Sequence, residues 1–107
     1  MKKGFFFLLL CPLLLEAVTI HITNDSRYPL IATIYDKHGD IMSVAGIPKG
    51  QKYTWRDSVH GATNMEEGPF RIVFTCRNGD EYGYVRHVAD NVTVNARSAQ
   101  GRRHCGS

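Results

Sequence analysis

Phe70-Arg71-Ile72-Val73-Phe74-Thr75-Cys76, then Arg77-Asn78-Gly79-Asp80, then Glu81-Tyr82-Gly83-Tyr84-Val85-Arg86 is the stretch that decides the fold. Successive side chains of an extended chain point to opposite faces. Phe70, Ile72, Phe74 and Cys76 therefore share one face, and Arg71, Val73, Thr75 and Arg77 share the other. Asn78-Gly79 matches a two-residue type I′ turn, in which both central positions need positive φ. Residues 81–86 are predicted to pair back on the first strand, with Tyr82 and Tyr84 on one face and Gly83 between them on the other.

The same period of two runs outward in both directions. Upstream, Val18, Ile20 and Ile22 alternate with Thr19, His21 and Thr23 before the turn Asn24-Asp25-Ser26. Leu30 to Tyr35 is rich in β-branched residues and stops at Lys37-His38-Gly39-Asp40, and Ile41 to Ile47 returns as its partner. Pro48-Lys49-Gly50-Gln51 is a further turn, and Lys52 to Arg56 puts Tyr53 and Trp55 on one face of a fourth strand. Downstream, Val92, Val94 and Ala96 alternate with Thr93, Asn95 and Arg97. No segment sustains a helical period. Seven short strands with turn signals about every eight to twelve residues predict an all-β fold, a small seven-stranded β-sandwich of immunoglobulin-like size.

The head of the chain has a different character. Met1-Lys2-Lys3 precedes an apolar run from Gly4 to Leu15, then Glu16-Ala17. Two lysines, an apolar core too short to span a bilayer and a small residue at the cleavage point form a secretory signal peptide, residues 1–17. A lipoprotein cut before Cys11 is the minority alternative, because Leu10 is bulkier than that pathway prefers. With the signal removed, the β-sandwich domain covers 18–96 and a basic C-terminal tail covers 97–107. Export leaves Cys76 and Cys105 as the remaining cysteine pair in an oxidising compartment. They are expected to form a disulfide that tethers the tail.

Charge sits unevenly on the exported part. Eleven Lys and Arg against nine Asp and Glu follow residue 17, and Arg97, Arg102 and Arg103 fall in a segment without acids. Such a tail can meet phosphate on an anionic lipid or a nucleic acid. Three arginines are few for that task, and a solvated end pinned by Cys105 is the favoured expectation.

Catalytic patterns are sparse. His21, His38, His60, His87 and His104 include no pair spaced to share a metal, and Asp36, His38 and Asp40 read as turn chemistry. Ser58-Val59-His60 lacks an orienting carboxylate and an oxyanion hole. Arg71-Ile72-Val73-Phe74, Tyr82-Gly83-Tyr84, Ala96-Arg97 and Arg102-Arg103-His104-Cys105-Gly106 resemble parts of small secreted guanyl-specific ribonucleases. Members of that family pair a strand glutamate with arginines and a histidine, and no glutamate follows Tyr84 in the corresponding strand. The resemblance therefore stops short of the residues that do the chemistry.

The expectation is a secreted, periplasmic or envelope-associated binding or structural module with no catalytic, metal or cofactor site, whose partner is a protein or an envelope component. Tyr53, Trp55, Tyr82 and Tyr84 are candidate binding residues, with Tyr28 and Tyr35 as further rings of the same platform and core packing the stronger reading for Trp55. His60, Glu66 and Glu67 are further candidates in the long polar loop 57–68. An inhibitor or host-directed effector acting through that loop is the alternative, and a small hydrolase or ribonuclease using His60 or His87 comes third. Asn24-Asp25-Ser26 and Asn91-Val92-Thr93 meet the N-glycosylation rule.

Overall fold

The structure is a computed structural model that describes residues 18–57 and 68–106. The signal segment, Cys11, and the loop residues His60, Glu66 and Glu67 lie outside the described residues. Seven strands follow one another: β1 Val18–Thr23, β2 Leu30–Tyr35, β3 Ile41–Ile47, β4 Lys52–Asp57, β5 Phe70–Cys76, β6 Glu81–Val88 and β7 Val92–Asn95. A 3-10 turn, Ala96–Ser98, closes β7. The expected strands are thus all present. β4 gains Asp57, which pairs with Val18, and β6 runs on to Val88, which pairs with Phe70. β7 stops at Asn95, because Ala96 already belongs to the turn.

The strands form two sheets, one ordered β4-β1-β7 and one ordered β3-β2-β5-β6. All pairs are antiparallel except β1 with β7, which runs parallel. Only β2–β3 and β5–β6 join neighbours within a sheet, and every other connection carries the chain to the opposite sheet. The parallel pair is held at both ends by side chains. Asp90 Oδ1 accepts the Thr19 N–H at 2.7 Å, and Asp25 Oδ1 accepts the Arg97 N–H at 2.7 Å.

One hydrophobic cluster draws on both sheets. Val18, Ile20, Ile22, Trp55 and Val94 come from the first, and Leu30, Ile34, Ile47, Phe70, Ile72, Phe74 and Val88 from the second. The Trp55 and Phe70 rings meet edge to face, 5.5 Å between centroids, and join β4 to β5 across the interior. Trp55 is therefore core, as alternation predicts. On β2 and β5 the small Ala32 sits opposite the large Phe74, so facing positions interdigitate without overfilling the layer. Each fully buried Ile, Leu or Phe contributes about 1.5–3 kcal/mol, so this cluster supplies most of the favourable energy of folding.

Both hairpins use one turn design, and it differs from the type I′ turn predicted at Asn78-Gly79. Gly79 has φ +97° while Asn78 is absent from the positive-φ residues. Gly79 N–H donates to Cys76 O at 2.9 Å, and Cys76 N–H donates to Asp80 O at 2.7 Å. This is a three-residue loop, a type I turn followed by glycine in the left-handed region, so only its last position needs positive φ. Asn78 serves instead through its side chain, whose Oδ1 accepts the Asp80 N–H at 2.9 Å. Asp36 to Asp40 repeats the arrangement, with Gly39 at φ +88° and Asp36 Oδ1 accepting the N–H groups of His38 and Asp40.

A bulge overturns the expectation that Tyr82 and Tyr84 share a face. β6 pairs Gly83 with Phe74 but Glu81 with Thr75, so Tyr82 is the extra residue. Tyr82 turns inward and is buried, whereas Tyr84 pairs with Val73 and is half-exposed, with Arg86 over its ring.

Candidate basic basin

The loop between β1 and β2 is built on Asn24, which is fully buried. Its Nδ2 donates to Tyr28 O and to Ile47 O, both at 2.8 Å. Its Oδ1 accepts from Ser26 N–H at 3.1 Å and from Ser26 Oγ–H at 2.6 Å. Its backbone is paired as well, with Gln51 O and Gly50 N–H. A buried amide with every group satisfied makes a rigid corner, and losing it would strand several polar groups away from water. The corner fixes where Asp25, Arg27 and Tyr28 leave the chain. It also bears on the first glycosylation motif, because the Nδ2 that a glycan would occupy is committed twice inside the fold, while Asn91 is exposed.

The segment after Ala99 comes to the same place from the other end of the chain. Gln100 and Tyr84 exchange both backbone hydrogen bonds, at 2.8 and 2.9 Å, and Arg103 N–H donates to Tyr82 O at 2.6 Å. Gly83 permits this approach. A Cβ built on it would lie 2.6 Å from Gln100 O and 2.9 Å from the Ala99 Cβ. The expected disulfide is present, Cys76 to Cys105 with a Cα separation of 5.6 Å, and it holds the segment at the end of β5. The tail is thus tethered as expected and also lies along β6 by backbone pairing, with Ala96 and Ala99 in the core.

Where the two segments meet they enclose an open basin of ≈ 630 Å³. Arg27 lines it from the β1–β2 loop, and Arg97, Arg102, Arg103 and His104 line it from the tail. Tyr28 and Tyr82 form its apolar wall, their rings edge to face at 6.0 Å, and Tyr28 makes the same contact with the His104 ring. The Tyr28 hydroxyl and His104 Nδ1 lie 3.1 Å apart, and Arg103 Nη1 donates to Arg97 O at 2.9 Å. Among the described residues Asp25 is the one carboxylate lining the basin, and it already accepts the Arg97 N–H. Burial raises the Tyr82 hydroxyl above its ordinary pKa of 10.0, against the opposing pull of Arg103. The phenol therefore stays neutral where the basin is most crowded with positive charge.

Chemically, the arrangement presents guanidinium forks around a cleft floored by aromatic carbon. Such a surface suits an anionic group carried on a partly apolar body. Among the described residues Ser26 is the only lining alcohol, and its Oγ is engaged with Asn24 and with Tyr28 O.

The fold disperses the other candidates. Tyr53 packs at the core margin, its hydroxyl 3.2 Å from Ser43 Oγ, and Trp55 is interior. Tyr84 looks out from the second sheet, so of the aromatic residues proposed from sequence Tyr28 and Tyr82 reach the basin. Arg97, Arg102 and Arg103 do converge there. Sequence reading missed Arg27 as their companion and did not join Tyr28 to them. Its available signal was the acid-free tail, and nothing local ties that tail to residues about seventy positions upstream in a fold dominated by nonlocal pairing. Comparison with known protein families, with curated proteins and with solved structures returns no match to this chain.

Proposed function

We propose that the protein is an exported, non-catalytic β-sandwich whose work is binding, and that it holds an anionic group in the basin between the β1–β2 loop and the tail. The observation that carries this reading is the convergence of Arg27, Arg97, Arg102 and Arg103 on one cleft that, among the described residues, contains a single, already engaged carboxylate. Arginine is matched to phosphate, sulfate and carboxylate oxygens through paired N–H donors, and the half-buried Tyr28, backed by the buried Tyr82 ring, offers a surface for the body that carries the charge. Export is supported by the signal-like head and by the Cys76–Cys105 bond, a linkage that persists in oxidising compartments. Among the described residues no helix is long and apolar enough to cross a membrane.

The test is titration of the oxidised protein with inorganic phosphate, inorganic sulfate and a sulfated oligosaccharide, followed by amide chemical shifts. The expected shifts centre on Arg97, Arg103 and Tyr28. Arg97→Ala with Arg103→Ala weakens binding by at least about tenfold, since hydrogen bonds to charged groups contribute about 1.5–3 kcal/mol each. Lys52→Ala with Arg56→Ala on the exposed edge of β4 is the control. Equal losses in the two double variants, or no shifts with any anion, overturn the assignment.

A further inference from the structure

The two sheets have four edge strands, and three of them are protected. β7 is only four residues long, β4 carries Lys52 and Arg56, and β6 is covered by the backbone of Gln100 and Arg103. Short edges, charged edges and covered edges are the standard ways in which sheet proteins avoid pairing with another chain. β3 is neither short, charged nor covered, and its irregularity is a bulge at Met42, where β2 pairs Ile34 with Ser43 and Tyr35 with Ile41. Ile41-Met42-Ser43-Val44-Ala45-Gly46-Ile47 is seven residues without a charge or a proline, and Ile41 and Val44 are each 60 % exposed. Among the described residues no backbone group pairs with its outer side.

We propose that this edge is a self-association surface, on which a second copy of the chain adds its own β3 in antiparallel orientation. The strand is self-complementary in that sense. A two-fold axis at Val44, the midpoint of β3, sets Val44 against its twin on the solvent face and, because the bulge at Met42 takes up one residue, brings each Ile41 beside the other copy's Gly46. It also places Asp40, just before the strand, within about two residues of the other copy's Lys49, just after it, at both ends of the contact. A parallel arrangement would instead set Asp40 beside Asp40 and Lys49 beside Lys49. An isologous pair of this kind closes on itself, so the product is a dimer with one continuous eight-stranded sheet and not a fibre. The uncovered side chains and the free backbone groups are satisfied by one event, and β3 lies on a different sheet edge from β6 and the tail that shapes the basin.

The test is sedimentation equilibrium on the full protein recovered after export, over a range reaching about 100 µM, with hydrogen exchange at both ends of that range. The expected result is a dimer whose β3 amides exchange more slowly at the high concentration. Val44→Lys should weaken it by about 100-fold, because two ammonium groups then face each other across the axis. Its thermal midpoint, measured at low concentration, should match the parent, since the side chain is exposed. A monomer throughout the range overturns the proposal. So does a dimer that survives Val44→Lys, or a monomer whose β3 amides are protected only by an added extended peptide.

Discussion

Replacing Gly83 by alanine adds one methyl group, and the geometry says it has no room. The new Cβ would stand 2.6 Å from a backbone oxygen, Gln100 O, and 2.9 Å from the Ala99 Cβ, both well inside van der Waals contact. Neither neighbour is the end of a flexible side chain, so the segment itself must move. Overpacking of this kind costs about 1–3 kcal/mol. Displacing the segment also breaks the paired Tyr84–Gln100 hydrogen bonds, about 1 kcal/mol each. The expected destabilisation is about 3–5 kcal/mol, which for a domain under a hundred residues lowers Tm by about 12–40 °C. The assay is thermal unfolding with the disulfide intact, read beside hydrogen exchange at Tyr84 and Gln100. Gly46→Ala is the internal control, because a Cβ there meets nothing within 4 Å and its φ is ordinary. It should leave stability unchanged or raise it by up to about 1 kcal/mol. A Gly83→Ala protein that melts with the parent and keeps both amides protected would refute the close approach of the tail to β6.

Two further outcomes follow from the same geometry. Cys105→Ser opens a link spanning 29 residues, and loop-closure entropy makes that worth about 3–4 kcal/mol; differential scanning calorimetry should show Tm lower by about 15 °C or more, and anion binding should fall with it because the tail brings Arg97, Arg102 and Arg103 to the basin. Tyr82 has its folded-state pKa raised by burial, so its contribution to stability is complete below pH 10.0 and is lost as pH rises through the higher folded value. The ultraviolet titration difference between the parent and Tyr82→Phe should place the Tyr82 ionisation above pH 10.0, and in Tyr82→Phe the alkaline loss of stability should shrink.

Strand positions were legible because their cause is local. Alternation at Val18 to Thr23, Leu30 to Tyr35 and Phe70 to Cys76 depends only on the period of an extended chain and on burial of one face, and the strands occupy those residues. Cys76 and Cys105 were legible as a pair for a similarly simple reason, since with Cys11 assigned to the expected signal peptide only one bond could join the remaining two. Tertiary structure alone decided the rest. Tyr82 faces inward because a bulge adds a residue to β6, and bulges answer to the partner strand and not to the local pattern. Asn78 escapes positive φ because the loop took three residues where two also satisfy Asn-Gly. The basin exists because Gly83 lets the tail lie against β6 while Asn24 holds the β1–β2 loop across from it. Its arginines are brought together by contacts between segments far apart in the chain, and no window of sequence short enough to read contains both of them.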